Sequence, residues 1–279
     1  MKLMSKKGNN GQSNTAVLVL SCDKYIDAWS PFFALFKKYW ADCPYPVYLG
    51  TNEKNFEFPS VKVINSGKAK NWSDDTLSII EQIPEKYIII ILEDYFLINN
   101  VDTSRLEECL EFMYKTDAAY MRIASFRKDY FPMYAYDISN ENPSFGITHS
   151  EAPFRVNLQA GIWEKDELAK LIVRGESPWD FEVKGSERSK QSDKLFLGIT
   201  ESSSKDIISG PIPYLCTAIT KGIWMREAIR ICKKENIALD LSLRPVESRW
   251  AYNKRKALHA VPFSLRKYVD FVSSKLRSS

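Results

Sequence analysis

The sequence predicts an α/β protein built on a mixed but mostly parallel sheet that is flanked by helices. The main observation is the stretch 87–96, where four isoleucines and a leucine run without interruption into Glu93 and Asp94. Such a run is typical of a central strand that is buried on both faces. A first apolar run at 16–20 is followed by a polar loop and an amphipathic segment. This order is typical of the start of a Rossmann-type, nucleotide-binding half-sheet.

Composition and length place the chain among globular proteins. Hydrophobic residues make up 44% and aromatic residues 13% of 279 residues, enough to build a core, so a disordered chain is excluded. We expect a flexible N-terminus at 1–14, one core domain at 15–225 and a helical basic extension at 226–279. No apolar run approaches the roughly 20 residues of a membrane helix, and residues 1–15 lack the apolar stretch of a secretory signal.

Cysteine and histidine usage narrows the kind of site. The five cysteines are scattered without a CxxC pair, which fits reduced thiols in the cytoplasm better than disulfides or a zinc site. With only two histidines, His149 and His259, a His-rich metal site is excluded.

The positive charge is concentrated at the C-terminal end. Nine Lys and Arg oppose two acids between residues 244 and 279, a net charge of +7 in a chain whose total is +4. A basic amphipathic helix predicted from Pro262 onward could lie on the anionic inner face of the cell membrane or pack on its own domain. We do not expect nucleic-acid binding, because the aromatic residues are not interleaved with this charge.

The remaining elements follow from local patterns. Apolar runs predict further strands at 46–50, 61–64, 118–123 and 155–163, and a Gly/Pro-interrupted strand region at 207–219. Helical spacing and stop signals predict helices at 29–40, 73–83, 105–114, 165–173 and 225–235. Residues 126–154 are aromatic without a period, which predicts a long loop whose rings either stack on sugars or anchor the loop.

Two helix starts bear on the acidic residues. Ser73 is a candidate N-cap with Asp74 and Asp75 in the first turn, where the helix dipole favours acids. Ser177 is a second N-cap followed by Pro178, and capping alone explains Asp180. Glu182 lies one turn further on, where capping does not explain it.

An ordered set of motifs resembles the bacterial glycosyltransferases of the GT-A fold that build capsule or O-antigen polysaccharide. The set spans roughly residues 16–224, and its members are individually weak but occur in the family's order. They are Ser21-Cys22-Asp23, Asn71-Trp72-Ser73-Asp74-Asp75, Leu92-Glu93-Asp94-Tyr95, Gln159-Ala160-Gly161, Trp179-Asp180-Phe181-Glu182 and Lys221-Gly222-Ile223-Trp224.

This resemblance implies a GT-A-like fold with a nucleotide-sugar donor, foremost a UDP-sugar, and a saccharide or lipid-linked acceptor. It implies that Glu182, or failing it Asp180, is the catalytic base of an inverting transfer, and that Gly161 lies beneath the donor sugar. A retaining transfer would not need that base, and the sequence leaves both mechanisms open. Other donor-site positions implied by the motifs are Ser21, Asp23, Asn71 and Asp75 for the base and ribose, and Glu93, Asp94 and Lys221 for the diphosphate.

The metal-binding motif departs from the family pattern. The family keeps a DxD signature, whereas Glu93-Asp94-Tyr95 has an aromatic third position. The sequence leaves two alternatives: Mn²⁺ or Mg²⁺ held through Glu93 and Asp94, or diphosphate charge offset by lysines instead. The candidate lysines are Lys221, Lys68 and Lys70.

Two other classes of function remain open at this stage. One is a nucleotidyltransferase, which would use acids for metal-assisted phosphoryl chemistry but would need a glycine-rich, basic loop after the first strand. The loop that begins Ser21-Cys22-Asp23 is not of that kind. The other is a non-catalytic module that binds carbohydrate or nucleotide, in which the acids are structural.

Overall fold

The computed structural model describes residues 14–125, 136–138, 144–200 and 210–260. Nine strands of this part form one mixed sheet, and two more form a separate hairpin. The strands are β1 (Thr15–Leu20), β2 (Val47–Thr51), β3 (Val61–Asn65), β4 (Tyr87–Leu92), β5 (Tyr120–Arg122), β6 (Tyr136–Ile138), β7 (Phe145–Thr148), β8 (Gly161–Glu164), β9 (Phe196–Ile199), β10 (Ile219–Thr220) and β11 (Ile223–Trp224).

The sheet is ordered β3-β2-β1-β4-β8-β5-β9-β7-β6. Strands β3, β2, β1 and β4 are mutually parallel, and of the nine described strands only β7 and β8 run in the opposite direction. The chain therefore has the mixed, mostly parallel α/β sheet that the sequence predicts. The carboxyl ends of β1 and β4 lie side by side near its centre.

Helices cover both faces of the sheet. The described helices are α1 (Ile26–Tyr39), α2 (Trp72–Glu81), α3 (Thr103–Thr116), α4 (Lys165–Leu171), α5 (Pro178–Asp180), α6 (Ser186–Ser189), α7 (Arg226–Lys234) and α8 (Arg249–Ala260). A 3-10 turn, Asp23–Tyr25, leads into α1, and a π-helical turn, Phe181–Gly185, joins α5 to α6.

The central strand β4 is buried on both faces, as its isoleucine run predicts. Ile89 and Ile91 belong to a core that includes residues of α1 and α3. Ile88 and Ile90 belong to a second core, which includes residues of α2 and α4. Alternate side chains of one strand thus join two hydrophobic cores, so this strand holds the layers together.

Four predicted elements differ in detail from those observed. In the described part of the strand region predicted at 207–219, only Ile219 belongs to a strand, β10. Helix α1 begins at Ile26 rather than at the predicted residue 29, because the 3-10 turn Asp23–Tyr25 continues directly into it. The N-cap of α2 is Asn71 rather than Ser73, since the Asn71 side chain accepts from the backbone N–H of Asp74. The strand predicted at 155–163 is confined to β8, because the preceding segment turns to bond with side chains from other elements.

The predicted aromatic loop at 126–154 is described only in part. Its residues 136–138 and 145–148 form β6 and β7, an antiparallel pair at the sheet edge, rather than loop. Phe145 is buried and stacks on Phe112 with ring centroids 4.6 Å apart, so this ring anchors the segment. Residues 126–135 and 139–143, with Tyr130, Phe131 and Tyr134, lie outside the described residues.

The C-terminal region begins as predicted with a basic helix, α7, and continues through an irregular segment at 236–248 into α8. The amphipathic helix predicted from Pro262 lies outside the described residues. No helix in the described ranges is both long enough and apolar enough to cross a membrane.

Candidate active site at the carboxyl edge of the sheet

Two buried acids lie at the centre of the carboxyl edge. Parallel pairing sets Leu20 of β1 beside Leu92 of β4, so the next residues, Ser21 and Glu93, are neighbours. Glu93 is 6% and Asp94 8% exposed. The sequence-predicted acid pair is therefore at the position where open α/β sheets bind ligands.

Burial governs the protonation of Glu93. Loss of water around its carboxylate raises the pKa of Glu93 well above the usual value, and the nearby Asp94 charge raises it further. A hydrogen bond from Ser21 and the charge of Arg244 act in the opposite direction. Desolvation and the neighbouring acid outweigh these, so the pKa of Glu93 is raised on balance.

Asp94 is held by the segment that precedes β10. The hydroxyl of Thr217 donates to Asp94 Oδ2 over 2.6 Å, and the backbone N–H of Ala218 donates to the Asp94 carbonyl over 2.7 Å. Burial raises the pKa of Asp94 to about 6, against the lowering effects of Thr217 and of the Ile219 backbone. This carboxylate is oriented by protein groups before any ligand binds.

An arginine that the sequence patterns did not single out approaches the pair. Arg244 donates from Nε and Nη2 to the two oxygens of Asp27, each over 2.6 Å, and from Nη2 to the Lys24 carbonyl. Its guanidinium lies over the ring of Tyr25, 4.9 Å from the centroid. The charge of Arg244 lowers the pKa values of Glu93 and Asp94. A single arginine in a basic, aperiodic segment carries no local sequence signal for such a role.

Asp23 closes the loop that follows β1. Its carboxylate oxygens accept from the backbone N–H groups of Asn52, Glu53 and Lys54 at 3.1–3.3 Å, and its own N–H donates to Asn52 Oδ1. These bonds connect the ends of β1 and β2. They give Asp23 a structural role, whether or not it also contacts a ribose.

The other residues predicted for the base and ribose are also engaged within the protein. Asn52 Nδ2 donates to Asp75 Oδ2 over 3.0 Å, which brings Asp75 into the same network. Asn71 caps α2, and Ser21 Oγ accepts from the indole of Trp29 over 2.8 Å. The structure thus links Asp23 to Asp75 through Asn52, a residue that no sequence motif had indicated.

A hydrogen-bonded floor connects the acid pair to the second half of the sheet. Tyr95, directly after Asp94, stacks on Tyr214 with ring centroids 4.6 Å apart. Gln159 bridges the two hydroxyls: its Nε2 donates to Tyr95 over 3.2 Å, and its Oε1 accepts from Tyr214 over 2.8 Å. The Tyr214 hydroxyl also accepts from the N–H of Ala160. Satisfied buried networks of this kind fix the position of their members.

Glu182 joins this floor through Leu158. Its Oε1 accepts from the Leu158 N–H over 2.8 Å, and the Leu158 carbonyl accepts from the Tyr95 hydroxyl over 3.4 Å. Burial raises the pKa of Glu182, and the bond from Leu158 lowers it in part. In the part of the chain that the structure describes, Glu182 Oε2 has no hydrogen-bond partner.

Asp180 is occupied as the sequence predicts. It forms a capping box with Ser177, whose hydroxyl donates to Asp180 Oδ2 over 2.6 Å, and an ion pair with Lys184 over 2.8 Å. These partners hold the pKa of Asp180 below its usual value, Lys184 having the largest effect. Of the two candidate bases, Glu182 has the raised proton affinity and the unengaged oxygen.

The two remaining predicted residues occupy positions with local explanations. A Cβ on Gly161 would lie 2.5 Å from Cε2 of Tyr120, so close packing within the sheet requires glycine there. Lys221 has φ +51° and Gly222 has φ +75° at the turn between β10 and β11, a conformation suited to a tight two-residue hairpin. Lys221 is exposed at that turn.

The donor set fits a protein-held divalent cation poorly. Glu93 and Asp94 are both buried, and Asp94 Oδ2 accepts from Thr217, whereas Mg²⁺ and Mn²⁺ need several accessible oxygen ligands. In the described ranges, no group of three or more His, Cys, Asp and Glu is arranged to hold a metal ion. The residues present therefore supply at most a partial metal site.

Together, the parallel strand ends, the buried acids and the adjoining polar floor define an α/β protein with a candidate ligand site at the carboxyl edge of its sheet. Comparison with solved structures adds the particular fold. The chain is similar to UDP-glucose pyrophosphorylase in a crystal structure with UDP-glucose, at TM-score 0.50 and 9% identity, over 80% of this chain and 98% of that one. At this identity the likeness establishes the fold alone, and it confirms the predicted fold class.

Two further structures are similar over shorter parts of the chain. S. aureus TarS, residues 1–349, gives TM-score 0.43 and 11% identity over 67% of this chain and 60% of that chain. UTP-bound UGPase from Acinetobacter baumannii gives TM-score 0.45 and 10% identity over 66% and 85%. No protein-family model and no curated protein matches the sequence.

Proposed function

We propose that this protein is a glycosyltransferase that moves a sugar, with inversion, from a nucleotide-sugar to a saccharide or lipid-linked acceptor in surface polysaccharide synthesis. The observation that carries the proposal is the placement of Glu182. A half-buried carboxylate with an unengaged oxygen is tied through Leu158 and Tyr95 to the acid pair of the sheet edge. A glycosyltransferase of this kind needs a base close to the edge of the sheet at which the nucleotide-sugar binds.

The donor would bind over the carboxyl ends of β1 and β4. Ligands of open α/β sheets occupy this edge, and the polar groups there are held rigidly by the contacts of Asp23, Asp94 and Tyr95. One solved structure that shares the fold is a complex with UDP-glucose, which makes a UDP-sugar the first donor to test.

The acceptor hydroxyl would lose its proton to Glu182 Oε2. A raised pKa makes a carboxylate a stronger base, and its bond from the Leu158 N–H keeps it oriented. General-base catalysis of this type accelerates reactions by about 10² to 10⁴-fold. The attack replaces the bond from the anomeric carbon to the diphosphate by a bond to the acceptor oxygen, and the nucleoside diphosphate leaves with the electron pair.

A nucleotidyltransferase is the second candidate, because the solved structure at TM-score 0.50 is a pyrophosphorylase. That chemistry needs a glycine-rich, basic loop after the first strand to hold a triphosphate. Here the corresponding loop begins with Ser21 and Cys22, and Asp23 binds it to the end of β2. This local structure favours the glycosyltransferase.

The basic C-terminal region would place the protein at the inner face of the cell membrane. Trp250 of α8 is 71% exposed, with the ammonium of Lys254 over its ring. Aromatic and cationic side chains together favour anionic interfaces. Sedimentation with anionic and with neutral vesicles tests this: binding to anionic vesicles only is expected, and equal recovery without vesicles would contradict it.

The experiment that tests the function combines binding with product analysis. Thermal unfolding with a panel of nucleoside diphosphates and nucleotide-sugars, each in EDTA and in Mn²⁺, identifies the base and any metal requirement. A ligand at a hundredfold excess over its Kd stabilises the protein by about 2.7 kcal/mol.

Turnover then separates the two enzyme classes. A glycosyltransferase incubated with its nucleotide-sugar releases the nucleoside diphosphate, by slow transfer to water when no acceptor is present. A nucleotidyltransferase supplied with pyrophosphate forms the nucleoside triphosphate instead. Binding without either product would contradict both and support a non-catalytic binding module.

A further inference from the structure

The C-terminal region binds both ends of α1. At the far end, Glu235 pairs with Lys38. At the end nearest the site, Arg244 pairs with Asp27, whose side chain is fully buried. The irregular segment 236–248 between α7 and α8 therefore runs along α1 as a strap, with Arg244 at the carboxyl edge of the sheet.

The strap is fixed to the core as well. The backbone of Trp224 donates to the Pro245 carbonyl and accepts from the Glu247 N–H, each over 2.9 Å. The Glu247 carboxylate accepts from Nε and Nη2 of Arg255 at 3.0 and 2.9 Å. These contacts hold the strap directly after Arg244, and the ion pair with Asp27 holds the Arg244 side chain. The guanidinium therefore has a defined orientation.

The Nη1 amino group of this guanidinium remains available among the described residues. Nε and Nη2 are used by Asp27 and the Lys24 carbonyl, whereas Nη1 donates to no group in the described residues. A planar guanidinium held through Nε and Nη2 presents its Nη1 amino group in a fixed direction, where it can donate to a phosphate oxygen. The side chain is 9% exposed, so a ligand there would be largely shielded from water.

We propose that Arg244 binds the diphosphate of the nucleotide-sugar and supplies the positive charge that the family resemblance assigned to a divalent cation. The proposal rests on the proposed function and names the diphosphate-binding group of that site. The poor fit of Glu93 and Asp94 to a metal ion leaves a need for such charge. The proposed role of Arg244 also makes the C-terminal strap a part of the donor site rather than a separate extension.

The test compares UDP with UMP, since the two differ only in the β-phosphate. Calorimetric titration of the full chain in EDTA gives the ratio of their Kd values. A charge-assisted hydrogen bond to the β-phosphate corresponds to a ratio on the order of tenfold or more in the wild type. We expect Asp27→Asn/Arg244→Gln to bring this ratio close to one, with Arg244→Lys between the two.

The double variant is chosen for its fold. Arg244→Gln alone would leave the carboxylate of Asp27 buried and unpaired, whereas replacing both members removes the two charges together. Lys170→Gln, which removes one exposed positive charge from α4, serves as the matched control and should retain the wild-type ratio. A purely structural role of Arg244 would change the unfolding midpoint and leave the ratio unchanged.

The outcomes separate this inference from the function on which it rests. A double variant that keeps the wild-type ratio, or a wild type that prefers UDP only when Mn²⁺ is present, would overturn the role of Arg244 and leave the glycosyltransferase standing. A wild type that binds UDP and UMP equally under both conditions would overturn the role of Arg244 as well. Failure of the glycosyltransferase itself appears in the product analysis, as nucleoside triphosphate formation or no turnover.

Discussion

Tyr95 and Glu182 bind the two polar groups of one residue, Leu158. The Tyr95 hydroxyl donates to its carbonyl over 3.4 Å, and Glu182 Oε1 accepts from its N–H over 2.8 Å. Tyr95 directly follows the acid pair of β4, and Glu182 lies in the π-helical turn after α5. Two motifs far apart in the chain are thus connected by a single residue of the intervening floor.

This connection leads to a first prediction. Glu182→Gln should lower the rate of sugar transfer by at least about a hundredfold, because the amide cannot accept the acceptor proton. Its Oε1 can still bind the Leu158 N–H, so donor affinity should change little. Steady-state kinetics and calorimetric titration measure the two quantities. Asp180→Asn, at the neighbouring capping position, should retain most of the activity; equal losses in both variants would refute the assignment of the base.

Asp23 provides a second prediction, on stability. Asp23→Ala removes the acceptor for the N–H groups of Asn52, Glu53 and Lys54. We expect the free energy of unfolding to fall by about 1–3 kcal/mol, and Asp23→Asn, which keeps one acceptor oxygen, to lose less. Urea denaturation measures both. Unchanged stability with weakened nucleotide binding would instead assign Asp23 to the ligand alone.

The packing of Gly161 gives a third prediction. In Gly161→Ala the new Cβ meets the Tyr120 ring at 2.5 Å, and overpacking of this kind destabilises by about 1–3 kcal/mol. Adding Tyr120→Leu removes the ring atom concerned and should restore part of the loss relative to the Tyr120→Leu single variant. Chemical denaturation of the four proteins completes the cycle. Strict additivity of the two changes would show that this contact is not the reason for the glycine.

The fourth prediction concerns pH. The pKa of Asp94 is about 6 in the folded protein, above its ordinary value of 3.8. Between those pH values the folded state retains a proton that the unfolded state releases, so the stability falls as the pH rises from about 4 to 6. For Asp94 the fall amounts to about 3 kcal/mol at most.

Asp94→Asn cannot ionise, and it should therefore lose this part of the pH dependence while keeping an oxygen for Thr217. Thermal unfolding of wild type and variant between pH 4 and 7 tests the point. Parallel curves for the two proteins would mean that Asp94 does not carry the effect.

Much of the architecture follows from local patterns. The isoleucine run of β4 predicts a strand buried on both faces, because each face must bury alternate side chains. The sequence Ser177-Pro178 predicts the start of α5, and the structure contains the capping box there. These signals are readable because the burial and the caps depend on residues within one turn or one strand. The observed N-cap of α2 differs from the predicted one by two residues, because Asn71 and Ser73 both have side chains that can cap a helix.

The site was predictable only where a motif adjoins a strand end or a helix start. The sequence places the candidate residues Glu93, Asp94 and Glu182 at such positions, whereas no local pattern marks Arg244 or Asn52. In the sequence Arg244 is one of several basic residues of the C-terminal region, and its contacts with Asp27 and the Lys24 carbonyl are visible only in the tertiary structure.

The sequence alone therefore determined the α/β class, the central strand with its two acids, and the helix start beside Glu182. Tertiary structure decided which remote groups meet: Arg244 with Asp27, Asn52 with Asp75, and Leu158 between Tyr95 and Glu182. The physical reason is the range of the interactions. Hydrophobic periodicity and capping are set by near neighbours in the chain, whereas the partner of a buried polar group depends on how whole elements pack.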